Sequence, residues 1–306
     1  MMNLHKDKEL FNELINRVSN DYNLNESIVK KDYFVTLVLK QIVLNDNSFV
    51  FKGGTSLSKC FNLINRFSED IDLSYINSKN LDKLQRKAIK QTIINAVEGV
   101  ELSVLNLTEI RSGRDFNRYI VNYDCNDFNL VFLKQNIVIE TSFQEEPFPI
   151  ENKECSSLIE KWLSSNNHFD IIKQYQLEPF STNVQSYTRT FIDKIFAICD
   201  YYLLNRKDEH SRHLYDLTKL YSNIDFNEEF IKLFNNTTET RKGNKYCPSA
   251  SDDVNIVEVI DKIIETDFYK SDYNSITALL IIDNISYEDC IKALITIKNK
   301  LITMLL

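Results

Sequence analysis

Glycine is scarce in this 306-residue chain, which holds five glycines, four prolines, four histidines and one tryptophan. Its six cysteines (Cys60, Cys125, Cys155, Cys199, Cys247 and Cys290) form no CxxC pair, and the histidines are equally dispersed. Zinc sites need clustered ligands, so this spacing argues against a Cys/His metal centre and for ordinary reduced thiols. No apolar run reaches the ~18–20 residues of a membrane span. Met1 to Leu10 is charged and polar, unlike a secretory signal, so the cytoplasm is the expected location, with no membrane partner. The net charge of −8 argues against a protein that coats nucleic acid through many phosphate neutralisations. There is no internal repeat and no low-complexity tract.

What is present is a globular composition, 43% hydrophobic and 26% charged, in a chain long enough for one large or two ordinary domains. Periodicity predicts helices over Leu4 to Val18 and Glu26 to Leu44, the latter with Asn25 as a candidate N-cap. A short β-rich run, Ser48 to Lys52, ends at the adjacent pair Gly53-Gly54. A helix over Thr55 to Asn65, a strand over Asp70 to Ile76 and a helix over Asn80 to Val97 follow. Three further strands are expected over Glu101 to Ile110, Arg118 to Cys125 and Gln135 to Phe143. The prolines in Glu145-Glu146-Pro147-Phe148-Pro149 mark a break. Beyond it the chain reads mostly as helix, with one extra strand over Ser181 to Ser186. The expected fold is therefore α+β: a mixed sheet flanked by helices over residues 1–150, then a mainly helical domain over 151–306 that closes an active-site cleft.

The chemistry concentrates around the glycine pair. In Phe51-Lys52-Gly53-Gly54-Thr55-Ser56-Leu57, the two glycines let backbone N–H groups approach a phosphate with no Cβ in the way. Thr55 and Ser56 add hydroxyl donors, and Lys52 adds a cation. Downstream, Arg66-Phe67-Ser68-Glu69-Asp70-Ile71-Asp72-Leu73 carries two carboxylates one residue apart. On a strand, Asp70 and Asp72 point the same way, the arrangement that holds Mg²⁺ or Mn²⁺ on a triphosphate. A third carboxylate is expected from a neighbouring strand. Glu140 interrupts the apolar run Ile137-Val138-Ile139-Glu140-Thr141, where a metal would compensate its burial; Asp124 and Asp127 are weaker candidates. Two basic groups stand out, Lys52 with Lys59 and Arg66, and Arg111 with Arg114 and Arg118. Lys194 lies on a helical face with Phe191, Ile198 and Tyr201, so it either snorkels or meets an anion. Asp216 follows Arg212 by one helical turn, which also allows a simple ion pair.

These motifs resemble the AbiEii/AbiGii toxin family of the DNA polymerase β-like nucleotidyltransferase superfamily. The resemblance runs from Phe51 to Leu73 and continues in Arg189-Thr190-Phe191-Ile192-Asp193-Lys194 and Arg212-His213-Leu214-Tyr215-Asp216-Leu217. It implies that Gly53, Gly54 and Ser56 bind nucleotide phosphate and that Asp70, Asp72 and Glu140 bind metal, with Glu140 alternatively deprotonating the attacking hydroxyl. It further implies that Lys194 contacts the phosphates and that Asp216 is an active-site acid, with Arg66, Arg189 and Arg212 as secondary phosphate or RNA contacts. His213 stands where the family often has Asp, and the gap from Gly54 to Asp70 is longer than is general in the superfamily. The implied activity is transfer of a nucleotide from an NTP to an acceptor hydroxyl, with a tRNA 3′ end or other RNA as acceptor, by a toxin with a cognate antitoxin. Protein modification at the same site, or an idle nucleotide-binding partner protein, are the alternatives.

Overall fold

The computed structural model describes residues 2–123 and 135–305, so Asp124, Cys125 and Asp127 lie outside the described residues. Two compact units emerge. The first comprises residues 1–61 and 68–185, the second 62–67 and 186–306.

The first unit is built on a seven-stranded mixed sheet. Helices α1 (Lys8–Tyr22) and α2 (Glu26–Asn45) precede β1 (Phe49–Lys52), which runs directly into the short helix α3 (Gly53–Lys59). Then come β2 (Ile71–Tyr75), α4 (Lys83–Gly99), β3 (Ser103–Val104), β4 (Phe116–Asn122), β5 (Ile137–Ser142) and β6 (Ile150–Cys155). Helices α5 (Leu158–Ser165) and α6 (Phe169–Gln174) lead to β7 (Phe180–Gln185). The strand order is β3-β4-β5-β2-β1-β7-β6. Alternation decides the faces. Phe49 and Phe51, Ile71 and Leu73, Ile137 and Ile139, and Tyr119 and Val121 join one core with Val35, Val38, Leu39 and Ile42 of α2 and Ile89, Ile93 and Val97 of α4. Lys52, Asp72, Glu140 and Arg118 therefore point from the opposite face.

Helix ends follow their caps. The Asn25 side chain accepts from Ser27 N–H at the start of α2, as its sequence position predicts. Asp82 and Gln85 form a reciprocal capping box on α4.

The second unit holds α7 (Tyr187–Leu203), α8 (Arg212–Leu220), α9 (Glu228–Arg241), α10 (Ile256–Glu265), α11 (Lys270–Asp272), a π-helical turn (Tyr273–Thr277), α12 (Ala278–Leu280) and α13 (Tyr287–Leu305). Buried Phe191, Ile195 and Ile198 of α7 supply its centre, with Leu214 and Leu217 of α8 and Leu294, Ile297 and Leu301 of α13. Residues 62–67 belong to this unit through backbone bonds: Phe67 N–H donates to Leu280 C=O at 2.9 Å, and Ile282 N–H to Asn65 C=O at 2.8 Å.

Three expectations are corrected. The sheet unit runs to Gln185 rather than ending at 150, because β6 and β7 complete the sheet beside β1. The helix expected over Thr55 to Asn65 stops at Lys59, since residues 62–67 leave to bond with the helical unit. The strand expected over Glu101 to Ile110 shrinks to Ser103–Val104. There the Asn106 side chain takes over the pairing, accepting from Ile120 N–H and donating to Arg118 C=O, both at 2.9 Å. No helix among the described residues is long and apolar enough to cross a membrane.

A buried ion pair joins Lys31 of α2, fully excluded from solvent, to Glu69 just before β2. Removing one partner takes away the nearest opposite charge from a buried group. K31M is therefore expected to lower the stability of the protein by about 3–5 kcal/mol in urea unfolding, and the double variant K31M/E69L to recover most of that loss.

Candidate functional site

In the sheet unit, register assembles four charges from four neighbouring strands. Lys52 of β1 lies opposite Asp72 of β2, Asp72 beside Glu140 of β5, and Glu140 opposite Arg118 of β4. Two carboxylates thus stand between two cations on the face turned from the core. Asp70, just ahead of β2, is half-buried, as is Asp72.

The glycine turn abuts this row. Gly53 has φ +78°, a conformation natural to glycine, and a Cβ on it would sit 2.1 Å from Asp72 Oδ2. Its missing side chain is the room that the Asp72 carboxylate occupies. The turn's hydroxyls bond within the protein in this structure. Thr55 Oγ1, fully buried, donates to Asp70 C=O at 2.6 Å and lies 2.8 Å from Ser68 Oγ. Ser56 Oγ donates to Gly53 C=O at 2.9 Å. Thr55 thereby sets the backbone at Asp70, and the first backbone N–H groups of α3 have no partner within the helix. Lys59 is buried against Asp32 and Thr36 of α2 and is withdrawn from any ligand.

Glu140 meets Arg118, whose Nε and Nη2 both donate to Oε1, at 2.9 and 2.6 Å. Arg118 is more than half exposed, so the pair contributes under ~1 kcal/mol. The Glu140 hydrogen bond raises the Arg118 pKa above the ordinary arginine value, opposed by burial and aided by the charges of Glu140, Asp70 and Asp72. The field of all three carboxylates converges on this guanidinium. Among the described residues no three His, Cys, Asp or Glu side chains close into a metal cluster. The donor set still fits a hard divalent cation: two carboxylates one residue apart at the entry to a strand, with remaining positions suited to water and phosphate oxygens. The expected third carboxylate is adjacent in register, with Oε1 engaged by arginine.

The helical unit places its expected site residues differently. Asp216, wholly buried on α8, receives Arg66 Nε on Oδ1 at 2.6 Å and Arg66 Nη2 on Oδ2 at 2.7 Å. Lys194 Nζ of α7 donates to the same Oδ2 at 2.5 Å. Arg66 and Lys194 are both about 5% exposed. In this structure the charges of Lys194 and Asp216 meet each other and Arg66. Arg212 is not the partner of Asp216. Burial alone would push the Asp216 carboxyl up, but the charges and hydrogen bonds of Arg66 and Lys194 outweigh it and hold the carboxyl well below its usual range. Burial lowers Lys194 in turn, with Asp216 opposing and Arg66 assisting. Arg189 is buried and pairs with Asp193 at 2.9 Å, while Arg212 is half-exposed. His213 lies well below the ordinary histidine pKa through burial and its cationic neighbours Lys194 and Arg212.

Lys31, Glu69 and the Arg118–Glu140 pairing were missed as a set. Lys31 falls on the apolar stripe of α2 with Val35, Val38 and Leu39, a pattern that flags a buried charge in the sequence itself. Strand register, which no single sequence reveals, was needed for the Arg118 pairing.

Because the folded-state pKa of Asp216 is depressed, its contribution is complete above the unfolded value of about 4 and is lost as pH falls below it. D216N removes the carboxylate charge that Arg66 and Lys194 share. It is expected to cost about 3–5 kcal/mol at pH 7 and to flatten the loss of stability below pH ~4, read by urea unfolding across that range.

Comparison with known proteins bears on this site. The family model described as nucleotidyl transferase AbiEii toxin, type IV toxin–antitoxin system, matches residues 38–287. Among solved structures, MenT4, a nucleotidyltransferase toxin of Mycobacterium tuberculosis, is similar with a TM-score of 0.50 at 18% identity, covering 90% of this chain and 82% of MenT4. JHP933 of Helicobacter pylori is similar with a TM-score of 0.40 at 17% identity, covering 87% of this chain and 91% of JHP933. The likeness to MenT4 is one of fold. No curated protein matches the chain. The family match spans the glycine turn, the aspartate pair, Glu140 and the Arg66–Asp216–Lys194 network, and the chain belongs to the AbiEii nucleotidyltransferase toxin family.

Proposed function

We propose that this nucleotidyltransferase toxin moves a nucleotide from an NTP onto the 3′ hydroxyl of an RNA, a tRNA end being the acceptor suggested by its family. The observation that carries this reading is the approach of Asp72 to Gly53, which sets a phosphate-sized turn against a carboxylate pair. The acceptor oxygen attacks the α-phosphorus, the bond from that phosphorus to the bridging oxygen breaks, and pyrophosphate leaves with the electron pair.

Asp70 and Asp72 would hold the divalent ion, Mg²⁺ or Mn²⁺, which when bound neutralises the triphosphate and the charge that develops on transfer. Glu140 would join them or accept the proton of the attacking hydroxyl, acting through Oε2 while Oε1 stays with Arg118. Lys52, on the other side of Asp72, suits the outer phosphates, and the backbone of Gly53-Gly54 suits their oxygens at close range. Lys194 would contact the nucleotide phosphates and Asp216 would serve as a further site acid, the pair bonded to Arg66 while no nucleotide is bound. The cognate antitoxin implied by the family completes the set of partners.

Two measurements test the reading. With α-³²P-labelled NTPs and cellular RNA, D70N/D72N should reduce label transfer by about a thousandfold or more, as loss of metal-held charge stabilisation would; undiminished transfer in that variant would sink the mechanism. Label that resists RNase but is released by protease would redirect the reading to protein modification. G53A places a methyl where Asp72 Oδ2 lies and adds backbone strain of about 1–2 kcal/mol. It should cut transfer about a hundredfold while the thermal midpoint falls only by the amount that strain explains.

A further inference from the structure

Phe116 is an exposed aromatic on the charged face of the sheet. It opens β4 opposite Ser142 and is 46% exposed. Two residues on, and so on the same face, Arg118 meets Glu140, which neighbours Asp72 in register. With strands about 4.8 Å apart, β4 lies about 10 Å from the strand that carries Asp72. A large apolar ring left in water so close to the carboxylates contributes nothing to the core.

Cations surround it. Arg111 and Arg114, both exposed, occupy the turn before β4. That turn is built rather than loose: Arg114 N–H donates to Arg111 C=O at 3.1 Å, and the Asn117 side chain brackets Arg111 with bonds of 2.9 and 3.1 Å. Lys83, Arg86, Lys87 and Lys90 follow i, i+3, i+4, i+7 spacing and share one face of α4. Arg86 Nη1 bonds Asp115 Oδ1 at 2.6 Å, and Lys90 Nζ bonds Ile110 C=O at 2.9 Å, which ties this stripe to the same turn. In a chain of net charge −8, the exposed cations Arg111 and Arg114 are concentrated in this one turn.

We infer that Phe116, with Arg111, Arg114 and Arg118, is the acceptor platform, where the ring stacks a base near the 3′ end of a single-stranded RNA and the guanidinium groups neutralise its phosphates. This inference rests on the nucleotidyl-transfer reading and adds the acceptor's place in it. Single strands are held in this way by aromatic faces interleaved with basic groups. A docked protein would instead demand a broad apolar centre with charges at its rim, whereas here arginines flank a single ring.

The test uses the full chain, a short 5′-fluorescein single-stranded RNA followed by anisotropy, and mant-labelled ribonucleoside triphosphates in Mn²⁺ for nucleotide affinity. F116A should weaken RNA binding about tenfold, and F116W should retain it. R111E/R114E should weaken it at least as much and lower the slope of log affinity against log salt by about 1.4, the share of two single-strand phosphate contacts. Nucleotide affinity should stay unchanged in all three variants. RNA affinity that is unaffected by both F116A and R111E/R114E overturns the platform. So does a parallel loss of nucleotide affinity, which would make the ring part of the NTP site, or a wild-type protein that binds no RNA and labels only protein. If RNA binds through Phe116 while no nucleotide is transferred, the platform stands and the transfer reading fails.

Discussion

A carboxylate pressed against a glycine fixes the geometry of the whole charged row. Asp72 Oδ2 takes the space a Gly53 side chain would fill, so the end of β1 and the middle of β2 must hold their register to within a fraction of a strand repeat. A slip of one residue in β2 would turn Asp72 into the core and Ile71 or Leu73 into water. The apolar face of the sheet therefore enforces the position of the carboxylates, because the cost of exposing Ile71 and Leu73 far exceeds any local preference of the turn. Glu140 and Arg118 inherit their places from the same rule, one strand after another.

Helix α2 adds a second constraint through two adjacent residues. Asp32 holds Lys59 at the end of α3, and Lys31 holds Glu69 at the entry to β2. Both ends of the connection that leaves the sheet unit after Phe61 and returns at Ser68 are thus tied to one turn of one helix. Asp32 also accepts the backbone N–H of Leu158 at 2.7 Å, so the start of α5 is joined to the same point. Ion pairs this buried gain little net stability over apolar replacements, since desolvation opposes the Coulomb attraction. Their value here is geometric: each forbids alternatives in which one partner would be left charged and dry. Arg66, Asp216 and Lys194 do the same for residues 62–67 within the helical unit, with two cations on one carboxylate.

How much of this was legible in the sequence depended on the range of the interaction. Helices with a clear apolar stripe, such as α2 and α4, were read within a few residues of their ends, because their signal is local. So were β1, β2 and β5, whose apolar runs are short and bounded. Strand β6 was missed, since Ile150-Glu151-Asn152-Lys153-Glu154-Cys155 is polar, and pairing with β7 rather than burial holds it in the sheet. The aspartate pair and the glycine turn carried their chemistry in residue type and spacing. The roles of Thr55, Ser56, Lys194 and Asp216 did not, because a hydroxyl, an amine or a carboxylate can serve a ligand or its own backbone equally well. Their partners within the fold appear only in three dimensions: Thr55 meets Asp70 C=O, and Asp216 meets Arg66 across 150 residues of sequence.

The charge distribution closes the argument about what the site can approach. A uniformly acidic surface would repel any incoming phosphate, yet the carboxylates of this row are placed between Lys52 and Arg118. Each carboxylate in the row has a cation within one strand spacing, which limits the repulsion an incoming phosphate meets before a metal arrives. Arg118 responds to all three carboxylates at once, so it acts as their common counter-charge. It also stands at the edge where the acidic row gives way to the basic turn of Arg111 and Arg114. An anion moving across this face from the turn meets positive charge first and the carboxylates last. That order lets a protein of negative net charge draw a phosphate toward a negatively charged site.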